Sequence, residues 1–333
     1  MKNFLNDLKA YFKFLKIPKN KEAFFIDNKY IIKYLKPYIK KKLHKKILII
    51  SFEDLHDEFD KIKTFTFKTT LFRSLFFLTH KLKTLYSTTP GLNKTIFVKT
   101  KFYNCKYIYL QHSPVSLTMA YPDKYFDEFD AVETINQFQY NEMSEIKKKR
   151  KLKCKIFRSK YNFLLEQKNK NYKDSKKFDV LIAPSWNTNF YKLNCHKILI
   201  DKLNEKKISY ILRPHHMSFK KKEISENDLK KQKINFDIKS ELNFNDYKIL
   251  ISDWSGIIYE NSLINGQKSL LLNTPQKINN HKYKNYKNIP IEIKARHIFG
   301  KTYNIDEINE LVNEAKNIIN KDLLVEDYEI KNF

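Results

Sequence analysis

Residues Tyr247–Ser252 read YKILIS, and Asp253-Trp254-Ser255-Gly256 carry the chain into a helical stretch over 256–264. Ile249, Leu250 and Ile251 are consecutive and apolar, with no polar residue alternating between them. A strand patterned this way buries both faces, as in a parallel sheet covered by helices on each side. The pattern recurs at 178–183 (FDVLIA), 208–212 (ISYIL), 233–238 (KINFDI) and 268–272 (KSLLL), with helices at 193–206 and 305–320. Upstream lies another such series: 46–51 (KILIIS), 94–99 (KTIFVK), 106–110 (KYIYL) and 130–135 (DAVETI). Its helices run over 28–42 and onward from Gln137. Short buried strands alternating with helices predict an α/β protein with two Rossmann-like domains. The expected division is 1–166, a polar linker at 167–177 (QKNKNYKDSKK), and 178–333, with the last helix packing back on the first domain.

The 333 residues suit two domains of ordinary size. With 42% hydrophobic and 15% aromatic residues, the chain has the material for packed cores and is not disordered throughout. No apolar run approaches the roughly 18–20 residues of a membrane-spanning helix. The N-terminus alternates Lys with aromatics and lacks a small-residue cleavage site, so no secretory signal is expected. Cys105, Cys154 and Cys195 lie far apart, which argues against a disulfide framework or a zinc site and suits a reducing cytoplasm. No G-x-G-x-x-G or Walker A sequence occurs, and only four glycines are present. That excludes dinucleotide dehydrogenases and P-loop enzymes.

The formal charge is +27, yet only five of the 64 basic residues are Arg. Abundant Lys, Asn and Ile match the codon bias of an AT-rich genome. The other reading is attraction to polyanions: anionic lipid, phosphate-bearing substrates or nucleic acid. Scarcity of Arg, the residue of bidentate base recognition, speaks against nucleic acid. Phe4, Leu5, Leu8, Tyr11, Phe12 and Leu15 recur at helical spacing with Lys between them, and Pro18 ends the pattern. Such a helix either packs on its own domain or lies on an anionic membrane surface.

In doubly wound sheets ligands bind beyond the C-terminal strand ends. Four sequences occupy such places. Gln111-His112-Ser113-Pro114 puts a His at a strand exit, where it can act as a base near neutral pH. Ala183-Pro184-Ser185-Trp186 offers backbone N–H groups and a hydroxyl. Arg213-Pro214-His215-His216 gathers donors suited to an anion. Ser252-Asp253-Trp254-Ser255-Gly256 leads into a helix containing Glu260. Ser252, Asp253 or Ser255 could cap that helix, and its start could hold a phosphate. No residue is read as a metal ligand: adjacent His residues rarely converge on one ion, and His215 and His216 lack a third ligand nearby in sequence.

In this order the four sequences resemble the CDP-glycerol glycerophosphotransferase family, teichoic-acid polymerase-like transferases with a GT-B fold. The likeness covers roughly 105–300, and the block from Ser252 to Glu260 is its most specific part. Ser87–Leu92 (STTPGL) is similar to the capsule-locus variants. The resemblance implies a GT-B-like α/β fold, two Rossmann-like domains facing a central cleft, the first on the acceptor side and the second binding the nucleotide donor. It implies transfer of glycerol phosphate or a related alditol phosphate from a CDP-activated donor to a hydroxyl of a cell-surface glycan or polymer. By the same likeness His112 deprotonates that hydroxyl, and His215 with Arg213 neutralises the donor pyrophosphate. Ser185, Ser252, Asp253, Ser255 and Gly256 lie on the donor side, and Glu260 contacts the ribose.

The chain departs from the family at Ser113 (usually Gly), His216 (usually Pro), Trp254 (usually Tyr) and Glu260 (usually Asp). The alternative is a GT-B glycosyltransferase using a CMP- or UDP-sugar in capsule or lipopolysaccharide synthesis. A UDP-sugar epimerase would need acids in the first domain, for which Asp123, Asp127, Glu128 and Asp130 are available. The expected partners are a nucleotide-activated donor, a glycan or lipid-linked acceptor and an anionic membrane surface, with no nucleic acid. No cofactor and no divalent ion is required. The expected location is cytoplasmic, at the inner face of the cell membrane.

Overall fold

The computed structural model describes residues 2–55, 58–59, 61–168, 176–239, 242–294 and 296–321. Most of the expected linker, 169–175, therefore lies outside the described residues. The chain forms two compact units. The first is Met1–Ser113 with Tyr121–Leu165 and Lys282–Asn288; the second is Pro114–Ala120, Glu166–His281 and Ile289–Phe333.

The first unit is built on a seven-stranded sheet: β1 Glu22–Ile26, β2 Leu48–Ser51, β3 Lys63–Thr66, β4 Thr84–Ser87, β5 Lys106–Tyr109, β6 Ala131–Thr134 and β7 Lys155–Arg158. The order is β3-β2-β1-β4-β5-β6-β7, and every pair is parallel. The chain winds outward from β1 through β2 and β3, then returns to β4 on the other side. A topological switch point therefore lies between β1 and β4. Aromatic rings fill the core: Phe25 packs on Phe52, Phe77 and Phe97, and Phe14 on Phe65 and Phe76.

The second unit has five parallel strands: β8 Phe178–Ile182, β9 Tyr210–Leu212, β10 Tyr247–Ser252, β11 Ser269–Leu272 and β12 Gly300–Tyr303. Their order is β12-β11-β10-β8-β9. Here the winding reverses between β8 and β10, so the ends of those two strands form the second switch point. The final helix, Ile308–Lys321, buries Leu311, Val312 and Ala315 in the core of this unit. Ile318 and Ile319 of the same helix are partly buried against that core.

Two expected strands are absent. Over 94–99 the chain closes a turn: Asn93 N donates to Phe97 O at 2.8 Å, and Lys99 N to Asn93 Oδ1 at 2.8 Å. The turn delivers Phe97 to Phe25 and Phe77. Over 233–238 only Phe236 bridges to Leu212. Five strands were not legible as strands. Three of them, β3, β7 and β12, are sheet edges with exposed Lys63, Lys155 or Lys301. Charged residues are the usual protection of such edges against further pairing, and they erase the apolar run.

Gly300 opens β12 at a crowded place. A Cβ there would lie 2.5 Å from the Leu271 side chain and 2.6 Å from Ser269 O. Gly300→Ala should destabilise the protein by about 1–3 kcal/mol, read as a lower urea midpoint with unchanged slope. An unchanged midpoint would mean that β11 and β12 move apart freely.

Candidate active site

In the first unit the ends of β4 and β5 lie side by side, with Leu110 N donating to Ser87 O at 2.8 Å. The hydroxyls of Thr88 and Thr89 there are buried and have no hydrogen-bond partner among the described residues. Such groups are uncommon and call for a reason. His112 stands on a turn held by its backbone. Its N–H donates to Gln111 Oε1 at 2.9 Å, and its carbonyl accepts from the Tyr161 hydroxyl at 3.1 Å. The ring, half-buried, lies 5.9 Å from that of Tyr34. Buried Gln111 braces the turn, its Oε1 also accepting from the hydroxyls of Tyr109 and Tyr121.

Behind this turn lies Glu133 of β6, a residue the sequence reading passed over inside an apolar run. It is fully buried and accepts from the Tyr38 hydroxyl at 2.8 Å, from Gln111 N at 3.1 Å and from the Ser159 hydroxyl. Burial pushes its carboxyl up to about 7, against the pull of those donors and of Lys41. The sign follows. The unfolded carboxyl titrates near 4.5, so wild-type stability falls as pH rises from there through about 7, and is level beyond. Glu133→Gln removes this dependence. Its stability relative to wild type should climb by up to about 3 kcal/mol across that window, at 1.36 kcal/mol per unit. Urea denaturation at a series of pH values measures it; a constant difference would refute the assignment.

The acids available for an epimerase are engaged elsewhere. Arg150 binds both Asp123 and Asp127, Asp130 accepts from Tyr107 N at 2.8 Å, and Glu128 accepts from Asn93 at 3.2 Å.

In the second unit the ends of β8 and β10 converge on Asp253. Its Oδ1 accepts from Ser185 N at 2.7 Å and Trp254 N at 2.6 Å; its Oδ2 accepts from Thr188 Oγ1 at 2.7 Å and Thr274 Oγ1 at 3.3 Å. Ser252 is buried and donates to Ala183 O at 2.7 Å. Two of the four sequences carrying the resemblance are thus joined directly. Arg296 closes the group from behind, donating to Asp253 O and to Leu272 O (3.0 Å), with its guanidinium 4.0 Å over Trp254. Burial lowers that guanidinium to about 10.

The capping expectation is corrected. Helix Ile257–Asn265 begins at Gly256 with no side-chain cap, because the Asp253 carboxylate is spent across the sheet. Ser255 and Gly256 are half-exposed at the helix start, whereas Glu260 is buried in its first turn.

The Ser185 hydroxyl is buried with no hydrogen-bond partner among the described residues. Beside it Trp186 lies 6.5 Å from the His215 ring, and the Nζ of Lys277 lies 4.6 Å over the indole. His215 Nδ1 accepts from Met217 N at 3.1 Å, which leaves the neutral ring's proton on Nε2. His216 stacks on His215 at 4.4 Å. Arg213 binds Asp237 Oδ2 at 2.7 Å and Lys239 O at 2.5 Å.

Sequence reading missed Lys277, which no strand-end rule marks. Burial lowers its ammonium to about 8, although Asp253, Glu292 and Glu223 favour the charge. Glu292 accepts from Ser116 N at 2.9 Å and is itself raised by burial. No three His, Cys, Asp or Glu side chains among the described residues are grouped to hold a metal ion.

No protein-family model matches this chain, and no curated protein sequence matches it. Solved structures are similar. A UDP-N-acetylglucosamine 2-epimerase from Rickettsia bellii is 12% identical over 91% of this chain and 98% of its own, with a TM-score of 0.50. A Listeria monocytogenes protein assigned to the same epimerase class is 10% identical over 92% and 89%, with a TM-score of 0.51. The wall teichoic acid polymerase TagF is 12% identical over 96% and 93%, with a TM-score of 0.49. At such identities the two epimerase structures speak to fold alone. The chain is an α/β protein with a GT-B-like fold of two Rossmann-like domains.

Proposed function

We propose that this chain is a transferase that moves glycerol phosphate, or a related alditol phosphate, from a CDP-activated donor to a hydroxyl of a cell-surface glycan or polymer. The observation that carries the reading is the Ser185–Asp253 junction. It gathers two of the four resembling sequences at the switch point of one sheet, with a third beside them through Trp186 and His215. A buried, unpartnered serine hydroxyl, an imidazole with its proton on Nε2 and a lysine ammonium suit the diphosphate of a nucleotide. The starting turn of the helix after Gly256 adds its positive dipole end.

In this reading His112 takes the proton of the acceptor hydroxyl. The oxygen attacks the phosphorus that carries the alditol, the bond from that phosphorus to the CMP oxygen breaks, and CMP leaves with the electron pair. His215 Nε2–H and Lys277 meet the charge that develops on CMP. Such a transfer needs positioning and charge neutralisation more than covalent help. Arg213 acts one step removed, fixing the turn before His215 through Asp237.

Titration of the purified protein with CDP-glycerol, CDP-ribitol, CDP, CMP and UDP-sugars, read by calorimetry, tests the donor. Preference for CDP compounds, weakened about 10- to 100-fold in Lys277→Ala, is the expected result. Affinity should also weaken as pH rises through about 8, where Lys277 loses its proton, and Lys277→Arg should flatten that loss. Binding of UDP-sugars alone would replace the reading with a sugar transferase. Failure to bind any nucleotide would overturn it.

A further inference from the structure

The helix Lys2–Leu15 shows the solvent a face that its own unit does not cover. Three contacts fix which side points inward. Asp7, fully buried, accepts from Lys68 N at 3.1 Å, Thr69 N at 2.7 Å and Thr69 Oγ1 at 2.6 Å. The Tyr11 hydroxyl bonds Thr79 Oγ1 at 2.7 Å, and Phe14 is buried against Phe65 and Phe76. With the helix locked by these three residues, its apolar stripe runs past the buried side and out into solvent. At 3.6 residues per turn, Phe4, Leu15, Leu8, Phe12 and Leu5 follow one another around an arc of about 100°. Phe4, Leu5 and Phe12 are 45%, 47% and 57% exposed. Leu71, on the helix Thr70–Thr79, is 53% exposed and adjoins Phe72, whose ring lies 5.3 Å from that of Phe4.

The next arc of the same helix carries lysine. Lys2, Lys9 and Lys13, with Lys16 just beyond the last turn, are all exposed and follow Leu5 around the cylinder. The only acid on the helix is Asp7, which is buried. An exposed apolar arc bordered by a row of lysines, without an exposed acid, is the pattern of a helix lying in the plane of an anionic bilayer surface. A second copy of the chain is a poor occupant, because two such lysine rows would face each other on molecules that each carry +27.

We infer that this face docks the first unit on an anionic lipid surface, with Leu5 and Phe12 entering the headgroup–acyl boundary and Lys9 and Lys13 meeting lipid phosphates. Among the described residues no helix is long and apolar enough to cross a membrane, so the contact is one of lying on the surface. The inference stands apart from the proposed transferase, since none of these residues belongs to the candidate site.

The test is sedimentation of the full chain with phosphatidylcholine vesicles, and with phosphatidylcholine vesicles containing phosphatidylglycerol. The expected result is binding to the anionic vesicles about tenfold or more tighter than to the neutral ones, and loosened by salt. Leu5→Ser with Phe12→Ser should weaken it about tenfold or more, and so should Lys9→Glu with Lys13→Glu. Nucleotide affinity and melting temperature should stay unchanged in both, which separates this inference from the donor assignment. If the serine pair unfolds the protein, the glutamate pair decides. Equal binding to both vesicle types, binding to neither, or full retention by the glutamate pair would overturn the inference. A concentration-dependent dimer that the serine pair abolishes would overturn it as well, in favour of a second copy.

Discussion

His112→Ala should cut donor turnover by about 10²–10⁴-fold, the usual contribution of a positioned general base. Donor affinity and thermal stability should barely change. The separation follows from how the turn is held. The backbone of His112 donates to Gln111 Oε1 and accepts from the Tyr161 hydroxyl, and alanine keeps both bonds. What leaves is a half-buried ring beside Tyr34. CMP release from the donor that calorimetry selects, with a glycan acceptor, gives the rate; the same calorimetry gives the affinity. A variant that turns over at the wild-type rate would remove His112 from the chemistry. A variant that binds donor poorly would mean that the ring belongs to the donor side instead.

Much of the second unit was legible because its central strands are uninterrupted. Ile249-Leu250-Ile251 and Val180-Leu181-Ile182 have both faces buried, so no polar residue breaks the run. The edges were hidden for the opposite reason: β3 buries only Phe65, and β12 exposes Lys301 and Thr302. In the first unit β1 (EAFFI) is a short run between two stretches of helical spacing, in a segment rich in Lys and aromatics that masks it. The strand-end rule found Ser185 and Asp253, since it depends only on where a strand stops. Partners that arrive from far along the chain, such as Lys277, Glu292 and Arg296, carry no local signal. Glu133 carried one that went unread: a carboxylate within a buried strand has to be paired or protonated. The ion pair of Arg213 with Asp237 is likewise a partner that residue type and the position beside His215 do not reveal.

Asp253 is where fold and proposed chemistry meet, and its variants should separate by chemistry as well as by size. Asp253→Ala leaves Ser185 N, Trp254 N and Thr188 Oγ1 without their acceptor, close to Arg296, in a place closed to water. Breaking a buried network of this kind costs about 3–5 kcal/mol. Asp253→Asn should cost far less. The two donors on Oδ1 are backbone N–H groups, which cannot turn round, so the amide oxygen has to sit there. The two on Oδ2 are threonine hydroxyls, which can rotate and accept from the amide nitrogen. Every bond then survives and only the charge is lost, for a cost of about 1–2 kcal/mol. Chemical denaturation of both variants measures the difference. Donor binding should follow the same order, because the Ser185–Trp186 turn depends on the Asp253 oxygen and not on its charge. Equal destabilisation by Ala and Asn would mean that the carboxylate's charge, balanced by Lys277 and Arg296, holds the strand ends together instead of its geometry.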